Sequence, residues 1–254
     1  MKLTVLGCSG GIGSGRQTTC FEIDDDTLLD TGTGLTTLTL EQLALIDQVF
    51  LTHSHLDHVL GLPLLLDAVG ERRQVPVTVY ALPEVLAILD QHLFNWKVWP
   101  DFRDIPSPDS PWLRFHPVPL GSTIRLGQRE FTALPADHVV PACAWHIRGP
   151  GGSLVFSGDT TSYEALILAL NQISDLHHLI IETSFETARR DIAIVSKHHW
   201  PESLARDLAR LNAQPQVWIT HLKPGNEAAI MAELKQTVPN RNVQALQQQQ
   251  VIDW

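Results

Sequence analysis

The chain has 254 residues, with 28 acidic and 18 basic side chains, and its formal charge is −10 when histidine is counted as neutral. This acidity argues against a general nucleic-acid-binding protein, because phosphate binding is driven by clustered lysine and arginine. A hydrophobic share of 44% and a charged share of 18% exclude wholesale disorder. Twelve histidines stand beside two tyrosines and two methionines, and histidine is the commonest metal ligand and acid–base residue.

In the first part of the chain, short apolar runs alternate with helical patterns. Predicted strands occupy 3–6, 17–23, 27–30, 48–51 and 76–80, and predicted helices lie near 36–45, 60–69 and 83–94. Residues 95–111 are rich in proline and aromatic side chains, so we expect an ordered loop or lid there rather than a linker. Four aromatic residues in or beside this loop are candidates for stacking on a nucleobase: Phe94, Trp96, Trp99 and Phe102.

The second part of the chain is richer in strand patterns. Predicted strands occupy 112–118, 122–126, 129–135, 142–148 and 153–157. A helix near 161–171, a strand at 177–181, a helix at 201–212, a strand at 216–220 and a helix at 226–236 follow. Because both parts contain several strands and then helices, the pattern predicts two mixed sheets that face each other. Helices would lie outside them, in one domain spanning 1–254.

The glycine-rich segment GCSGGIGSGRQ at 7–17 nearly matches a phosphate-binding loop. However, Arg16 and Gln17 replace the lysine and hydroxyl residues of that motif, and a strand pattern follows instead of a helix. We therefore expect a tight turn with close backbone approach.

Cysteine usage and hydropathy indicate the compartment. Cys8, Cys20 and Cys143 are odd in number and widely spaced, so they predict no disulfide framework and favour a reducing cytoplasm. No run of eighteen apolar residues is present, so we expect no membrane partner.

The segment VFLTHSHLDHVLGLP contains a histidine cluster at the end of a predicted strand. His53 and His55 alternate, so both side chains can face one metal from an extended backbone. After the turn, Asp57 and His58 can face a second metal beside the first. Imidazole and carboxylate ligands suit zinc, iron or manganese, and no cysteine is present to narrow the choice.

Three more candidate ligands follow predicted strands. His138 lies in LPADHVV, Asp159 lies in VFSGDT, and His221 lies in VWITHLKPG. Strand exits are common positions for functional residues on layered α/β folds.

These motifs, in this order, resemble those of the metallo-β-lactamase superfamily, and LLDTGTGL at 28–35 extends the resemblance over nearly the whole chain. The resemblance implies an α/β fold, a four-layer αββα sandwich of two mixed sheets flanked by helices. It also implies two divalent metal ions, Zn²⁺ first, with Mn²⁺ or Fe as alternatives. Metal one would take His53, His55, His138 and Asp159, and metal two would take Asp57, His58, His221 and the shared Asp159. Asp30 would support these ligands without binding a metal.

Within the superfamily, HSHLDHVLG and IETSF resemble the class II cyclic-nucleotide phosphodiesterases most. This resemblance implies opening of a 3′,5′-cyclic nucleotide to the 5′-monophosphate by hydroxide. Asp57 would belong to the catalytic centre, His198 would assist the leaving oxygen, and Glu182 would orient His198. By its distance to Pro201, His198 rather than the adjacent His199 aligns with the histidine of that family. The two residues by themselves leave open which one assists the leaving oxygen.

Several alternatives remain. A tRNA 3′-processing endonuclease would share the metals, but the charge of −10 and the lack of a basic arm disfavour nucleic acid as partner. A lactone or thioester hydrolase would not need His198, and a metal-dependent nucleotide-binding module would lack turnover. The leading partner is a small-molecule phosphodiester substrate, and a homodimer through the 95–111 loop stays open.

Overall fold

Two seven-stranded β-sheets form the centre of the computed structural model, which describes residues 1–254. The strands, in chain order, are β1 (Lys2–Gly7), β2 (Cys20–Ile23), β3 (Thr27–Leu29), β4 (Gln48–Phe50), β5 (Val77–Ala81), β6 (Pro106–Ser107), β7 (Ser110–Pro111), β8 (Leu113–Pro117), β9 (Thr123–Leu126), β10 (Arg129–Pro135), β11 (Cys143–Gly149), β12 (Gly152–Phe156), β13 (Leu176–Glu182), β14 (Gln216–Thr220), β15 (Val243–Ala245) and β16 (Val251–Asp253). The helices are α1 (Leu40–Leu43), α2 (Leu56–Val59), α3 (Gly61–Val69), α4 (Pro83–His92), α5 (Glu164–Leu170), α6 (Arg190–Ser196), α7 (Pro201–Leu208) and α8 (Glu227–Thr237).

The two sheets share one pattern of strand pairing. The first sheet has the order β16-β1-β2-β3-β4-β5-β8, and the second has the order β15-β14-β13-β12-β11-β10-β9. In each sheet the pairings at one end are antiparallel and those at the other are parallel: β3, β4, β5 and β8 in the first, and β12, β13, β14 and β15 in the second. With helices flanking the sheets, the predicted mixed-sheet sandwich is confirmed.

Aromatic side chains join the inner faces of the two sheets. The ring of Phe50 on β4 stacks on Tyr80 of β5 at 4.6 Å and on Phe131 of β10 at 4.1 Å, and it meets Trp145 of β11 edge-on at 5.0 Å. The Phe50 ring thus contacts residues of both sheets at the end of β4. The outer face of the second sheet is covered separately by apolar side chains of α5, α7 and α8.

Most predicted elements are present. Every predicted strand except 17–23 lies within one residue of its expected bounds, whereas the helix predicted at 36–45 is wrong. A 3-10 turn at Thr33–Thr37 and the single turn α1 replace it, because Thr39 caps a new start with a side-chain hydrogen bond from Gln42. The strand at 17–23 begins only at Cys20, since the backbone N–H of Thr18 donates to the Thr33 hydroxyl.

The 95–111 segment is an ordered part of the fold, as predicted. It contains the β6–β7 hairpin, and the rings of Phe94, just before it, and Phe102, within it, are 1% and 2% exposed. Phe102 packs against Trp112 with ring centroids 5.5 Å apart. Both phenylalanines therefore belong to the core and are unavailable for stacking on a nucleobase, while Trp96 is 61% exposed.

The glycine-rich start forms the expected close backbone approach. A Cβ atom on Gly7 would lie 2.1 Å from the Thr18 carbonyl oxygen, and one on Gly10 would lie 2.3 Å from the His221 carbonyl oxygen. Only glycine fits at these two positions, which dock the first loop against the chain after β14. Among the helices, none has the length and hydropathy needed to cross a bilayer.

We expect Phe50→Ala to lower the free energy of unfolding by about 3–5 kcal/mol, because the cavity would open where both sheets meet. Chemical denaturation of the purified protein measures this loss. Val98→Ala, at a position that is 61% exposed, serves as the control and should change stability by less than about 0.5 kcal/mol. Equal, small effects of both substitutions would contradict the role given to Phe50.

Candidate metal centre

The candidate site lies where parallel strands of both sheets end. Asp30 follows β3 and His53 follows β4 in the first sheet, while Asp159 follows β12 and His221 follows β14 in the second. Glu182 is the last residue of β13, between those two strands. Because neighbouring parallel strands end at the same edge, each sheet brings several polar residues to one place.

One cluster of donor atoms comes from four side chains, His53, His55, His138 and Asp159, whose ligand atoms lie within 4.8 Å of one another. The Nε2 atoms of His53 and His138 are 3.7 and 3.9 Å from the Asp159 Oδ2 atom. The Nε2 atom of His138 is 3.2 Å from the Nδ1 atom of His55. Ligands that bind one tetrahedral ion at about 2.0–2.2 Å stand roughly 3.3–3.6 Å apart, so this spacing fits a metal site.

A second cluster lies beside the first and consists of Asp57, His58 and His221, also within 4.8 Å. The Nε2 atom of His221 is 3.2 Å from the Asp57 Oδ2 atom and 3.3 Å from the Asp159 Oδ2 atom. The other oxygen of Asp159, Oδ1, is 3.4 Å from the His58 Nε2 atom. Asp159 therefore contacts donors of both clusters.

Three buried donor atoms in these clusters have no hydrogen-bond partner: His53 Nε2, His58 Nε2 and Asp159 Oδ1. An unpartnered buried polar group costs about 1–3 kcal/mol, and metal coordination removes this cost. The two clusters together contain imidazoles and carboxylates but no thiolate, a set that suits zinc, iron or manganese. The cluster therefore has the composition and spacing of a divalent-metal site.

Asp30, which is fully buried, orients two histidines of the first sheet. Its Oδ2 atom accepts a hydrogen bond from His58 Nδ1 at 2.7 Å and another from the Thr52 hydroxyl at 2.8 Å. The same hydroxyl oxygen accepts from His53 Nδ1 at 3.0 Å. Both rings thus carry a proton on Nδ1 and direct their Nε2 atoms toward the clusters.

Glu182, also fully buried, repeats this construction in the second sheet. Its Oε1 atom accepts from His198 Nδ1 at 2.6 Å, and its Oε2 atom accepts from the Ser184 hydroxyl at 3.0 Å. The Ser184 oxygen accepts in turn from His221 Nδ1 at 2.8 Å. Each sheet therefore holds one histidine directly on a buried carboxylate and a second through a hydroxyl group.

The electrostatic environment sets which rings are neutral. Burial lowers the pKa of His138 to about 4 and that of His53 well below its usual value, so both are neutral, as metal ligands must be. Burial also disfavours charge on His58, but the carboxylates of Asp159 and Asp30 outweigh it and raise the pKa of His58 well above its usual value. Metal binding would therefore displace a proton from His58.

The adjacent histidines His198 and His199 face different surroundings. A ring nitrogen of His198 lies within 4.8 Å of donor atoms of Asp159 and His221. His199 turns away, with Nδ1 3.0 Å from the Ser203 hydroxyl and Nε2 3.8 Å from Asp207. Burial opposes charge on His198, but the Glu182 carboxylate outweighs it and raises the pKa of His198.

The structure brings all of the sequence-predicted site residues to this one place, and it adds three groups that sequence reasoning missed. These are the hydroxyls of Thr52 and Ser184 and the carbonyl oxygen of Lys197, which accepts from His138 Nδ1 at 3.2 Å. Thr52 stands directly before His53, and Ser184 lies in the IETSF segment. In the sequence, only the closeness of these residues to the histidine and IETSF motifs could have indicated their role. The aromatic residues at 94–102 do not line the cleft beside His138.

The sequence is similar to a known domain family and to proteins of known name. The sequence profile of the beta-lactamase superfamily domain matches residues 26–238. A probable 3′,5′-cyclic-nucleotide phosphodiesterase of Yersinia pestis is 28% identical over 222 residues, covering 75% of this chain and 63% of that relative. This chain thus spans less than two thirds of the relative's length.

Solved structures show the same fold. Unliganded yeast PDE1 superposes with a TM-score of 0.83 at 18% identity over 98% of both chains. The metallo-β-lactamase fold protein YhfI of Bacillus subtilis superposes with a TM-score of 0.79 at 18% identity, covering 99% of this chain and 98% of that one. The predicted αββα sandwich is thereby confirmed.

The two hydroxyl bridges predict a measurable loss of metal affinity. Ser184→Ala removes the acceptor of His221 Nδ1, and Thr52→Val removes that of His53 Nδ1, so each should weaken binding of a divalent metal about 10- to 100-fold. Competition with a chelator, followed by elemental analysis, measures this affinity.

The matched control is Ser196→Ala, because the Ser196 hydroxyl donates only to the Ile192 carbonyl oxygen on α6. Its metal affinity should equal that of the unmodified protein. If Ser184→Ala and Thr52→Val also retain full affinity, the bridges do not orient the donors.

Proposed function

The chain belongs to the metallo-β-lactamase superfamily, and on that premise we propose that it is a di-metal phosphodiesterase. Its substrate in this proposal is a 3′,5′-cyclic nucleotide, which it opens to the 5′-monophosphate. The observation that carries the proposal is the hydrogen bond of 2.6 Å between buried Glu182 and His198 beside the donor clusters. A proton donor at this position serves a reaction in which an oxygen leaves phosphorus.

The metal ligands in this proposal follow the two donor clusters. Metal one would be held by His53, His55, His138 and Asp159, and metal two by Asp57, His58, His221 and the shared Asp159. Zn²⁺ is the first choice, with Mn²⁺ or Fe as alternatives. Two bound cations would lower the pKa of bound water toward ~7 and neutralise charge on a phosphoryl group. With the two ligand carboxylates, they would leave about two positive charges at the site, which attracts an anionic phosphodiester.

The side chains around the clusters have separate roles in the proposed reaction. Asp57, whose side chain is 33% exposed, accepts a hydrogen bond from the attacking water. His198 donates its proton to O3′ as the P–O3′ bond breaks, so that water is added across that bond. Glu182 keeps His198 oriented through Nδ1 and compensates its positive charge. Asp30 binds no metal and holds His58 and His53 in their coordinating tautomers.

Two further observations support a small phosphodiester. The relative from Yersinia pestis carries the name of a probable 3′,5′-cyclic-nucleotide phosphodiesterase at 28% identity. The net charge of −10 disfavours a long polyanion such as tRNA. Hydrolysis of a lactone or thioester would not require the buried Glu182–His198 pair as a proton donor.

A substrate panel tests the proposal. Metal-loaded protein should hydrolyse cyclic AMP or cyclic GMP to the 5′-monophosphate, and should act more weakly on bis-p-nitrophenyl phosphate and 2′,3′-cyclic nucleotides. Elemental analysis should find two divalent ions per chain. Intact 3′,5′-cyclic nucleotides beside cleaved precursor tRNA, or beside a cleaved lactone, would refute it.

The two adjacent histidines provide a matched pair of variants. We expect His198→Ala to lower kcat about 10²- to 10⁴-fold, because proton donation to the leaving oxygen is lost. Both variants should keep the metal content of the unmodified protein, and His199→Ala should keep its kcat within about tenfold. A leaving group of low pKa, such as p-nitrophenolate, should restore much of the rate of His198→Ala. If such a substrate suffers the same loss, His198 is not the proton donor.

A further inference from the structure

A cleft of about 570 Å³ opens beside His138, at the same edge as the donor clusters. Its walls come from the start of α4, from the segment after β8 and from the loop 136–142 between β10 and β11. It therefore lies between elements of both sheets, and its volume falls within the ~300–1,000 Å³ typical of small-molecule sites. His138 is one of the residues that line the cleft, and its buried ring belongs to the first donor cluster, so the cleft adjoins that cluster.

The lining of the cleft is mostly apolar, and much of that apolar surface faces solvent. Leu120 is 52% exposed and Val139 is 49% exposed. Pro119 and Pro141 are exposed on the same lining. Exposed leucine, valine and proline side chains that meet in a concave surface beside a polar centre indicate a place for an apolar, flat part of a ligand.

The charges of the lining disfavour binding of a second phosphate group in the cleft. No lysine or arginine lines the cleft, and its two carboxylates are Glu84 and Asp137. Asp137 pairs with the Lys197 ammonium group at 2.7 Å, so Glu84 is the lining carboxylate that has no ion pair. A polynucleotide backbone would be repelled here, whereas an uncharged ring with N–H donors would find an acceptor in Glu84.

We propose that this cleft binds the nucleobase of the substrate, an inference that rests on the proposed function and names the part of the molecule it recognises. The ring lies against Leu120 and Val139, and Glu84 accepts a hydrogen bond from an amino or imino group of the base. The phosphodiester then lies at the metal centre, next to His138. Base recognition thus comes from the cleft, and not from the aromatic residues at 94–102.

Leu120→Asn tests the proposal by making the cleft wall polar without changing its size. It should raise KM for the 3′,5′-cyclic nucleotide about five- to tenfold and leave kcat unchanged, since the base contact does not change in the transition state. The KM for a base-free 3′,5′-cyclic ribose phosphate should not move. Leu168→Asn on α5, at a position that is 56% exposed and outside the cleft, is the matched control and should leave both values unchanged. Equal effects on both substrates, or no effect on either, would overturn the proposal.

A binding experiment separates failure of the cleft from failure of the proposed function. Adenosine and guanosine, which carry no phosphate, should perturb NMR signals of the cleft residues, whereas ribose should not, and Leu120→Asn should weaken the effect. If the protein leaves cyclic nucleotides intact but shows these shifts, the catalytic proposal fails and the base site stands. If cyclic nucleotides are hydrolysed but no nucleoside perturbs the cleft, the base site is wrong.

Discussion

Two fully buried carboxylates, Asp30 and Glu182, are the constraint on which the whole centre depends. Ionised carboxylates in a protein interior carry a desolvation cost of several kcal/mol unless hydrogen bonds compensate them. Here each carboxylate accepts several hydrogen bonds, from a histidine, a hydroxyl group and a backbone N–H. These bonds both offset the cost and fix the direction of the histidine rings. The donor atoms can therefore converge before any ion binds.

The topology explains why each sheet has a buried carboxylate that orients two histidines. Each sheet begins with antiparallel pairings and ends with parallel ones, so each sheet brings neighbouring strand ends to a common edge. Asp30 and His53 follow adjacent strands of the first sheet, and Glu182 and His221 occupy adjacent strand ends of the second. Asp159, from the second sheet, contacts histidines of both. The Phe50 ring packs against residues of both sheets. The packing of the sheets thus sets the distance between the site residues of the first sheet and those of the second.

The fold and most of the site residues could be predicted from the sequence for a physical reason. Strands buried on one or both faces leave clear apolar runs, and the polar residues that follow them, such as His138 and Asp159, mark the strand exits. The terminal strands β15 and β16 and the helix α6 could not be predicted, because their sequences are short and mixed. The hydroxyl of Ser184 contacts His221, which is 37 positions away in sequence, and no local pattern encodes such a contact. The cleft is assembled from three separate segments, so only the folded chain shows it.

In the proposed centre, two buried carboxylates orient three of the seven ligands, His53, His58 and His221, toward two adjacent metal ions. Anomalous diffraction from crystals of the metal-loaded protein, recorded on both sides of the absorption edge, tests this most directly. We expect two peaks, one among His53, His55 and His138 and one among Asp57, His58 and His221. Asp159 should lie between them, and Asp30 and Glu182 should bind neither ion. A single peak, or a peak bound directly by Asp30 or Glu182, would contradict it.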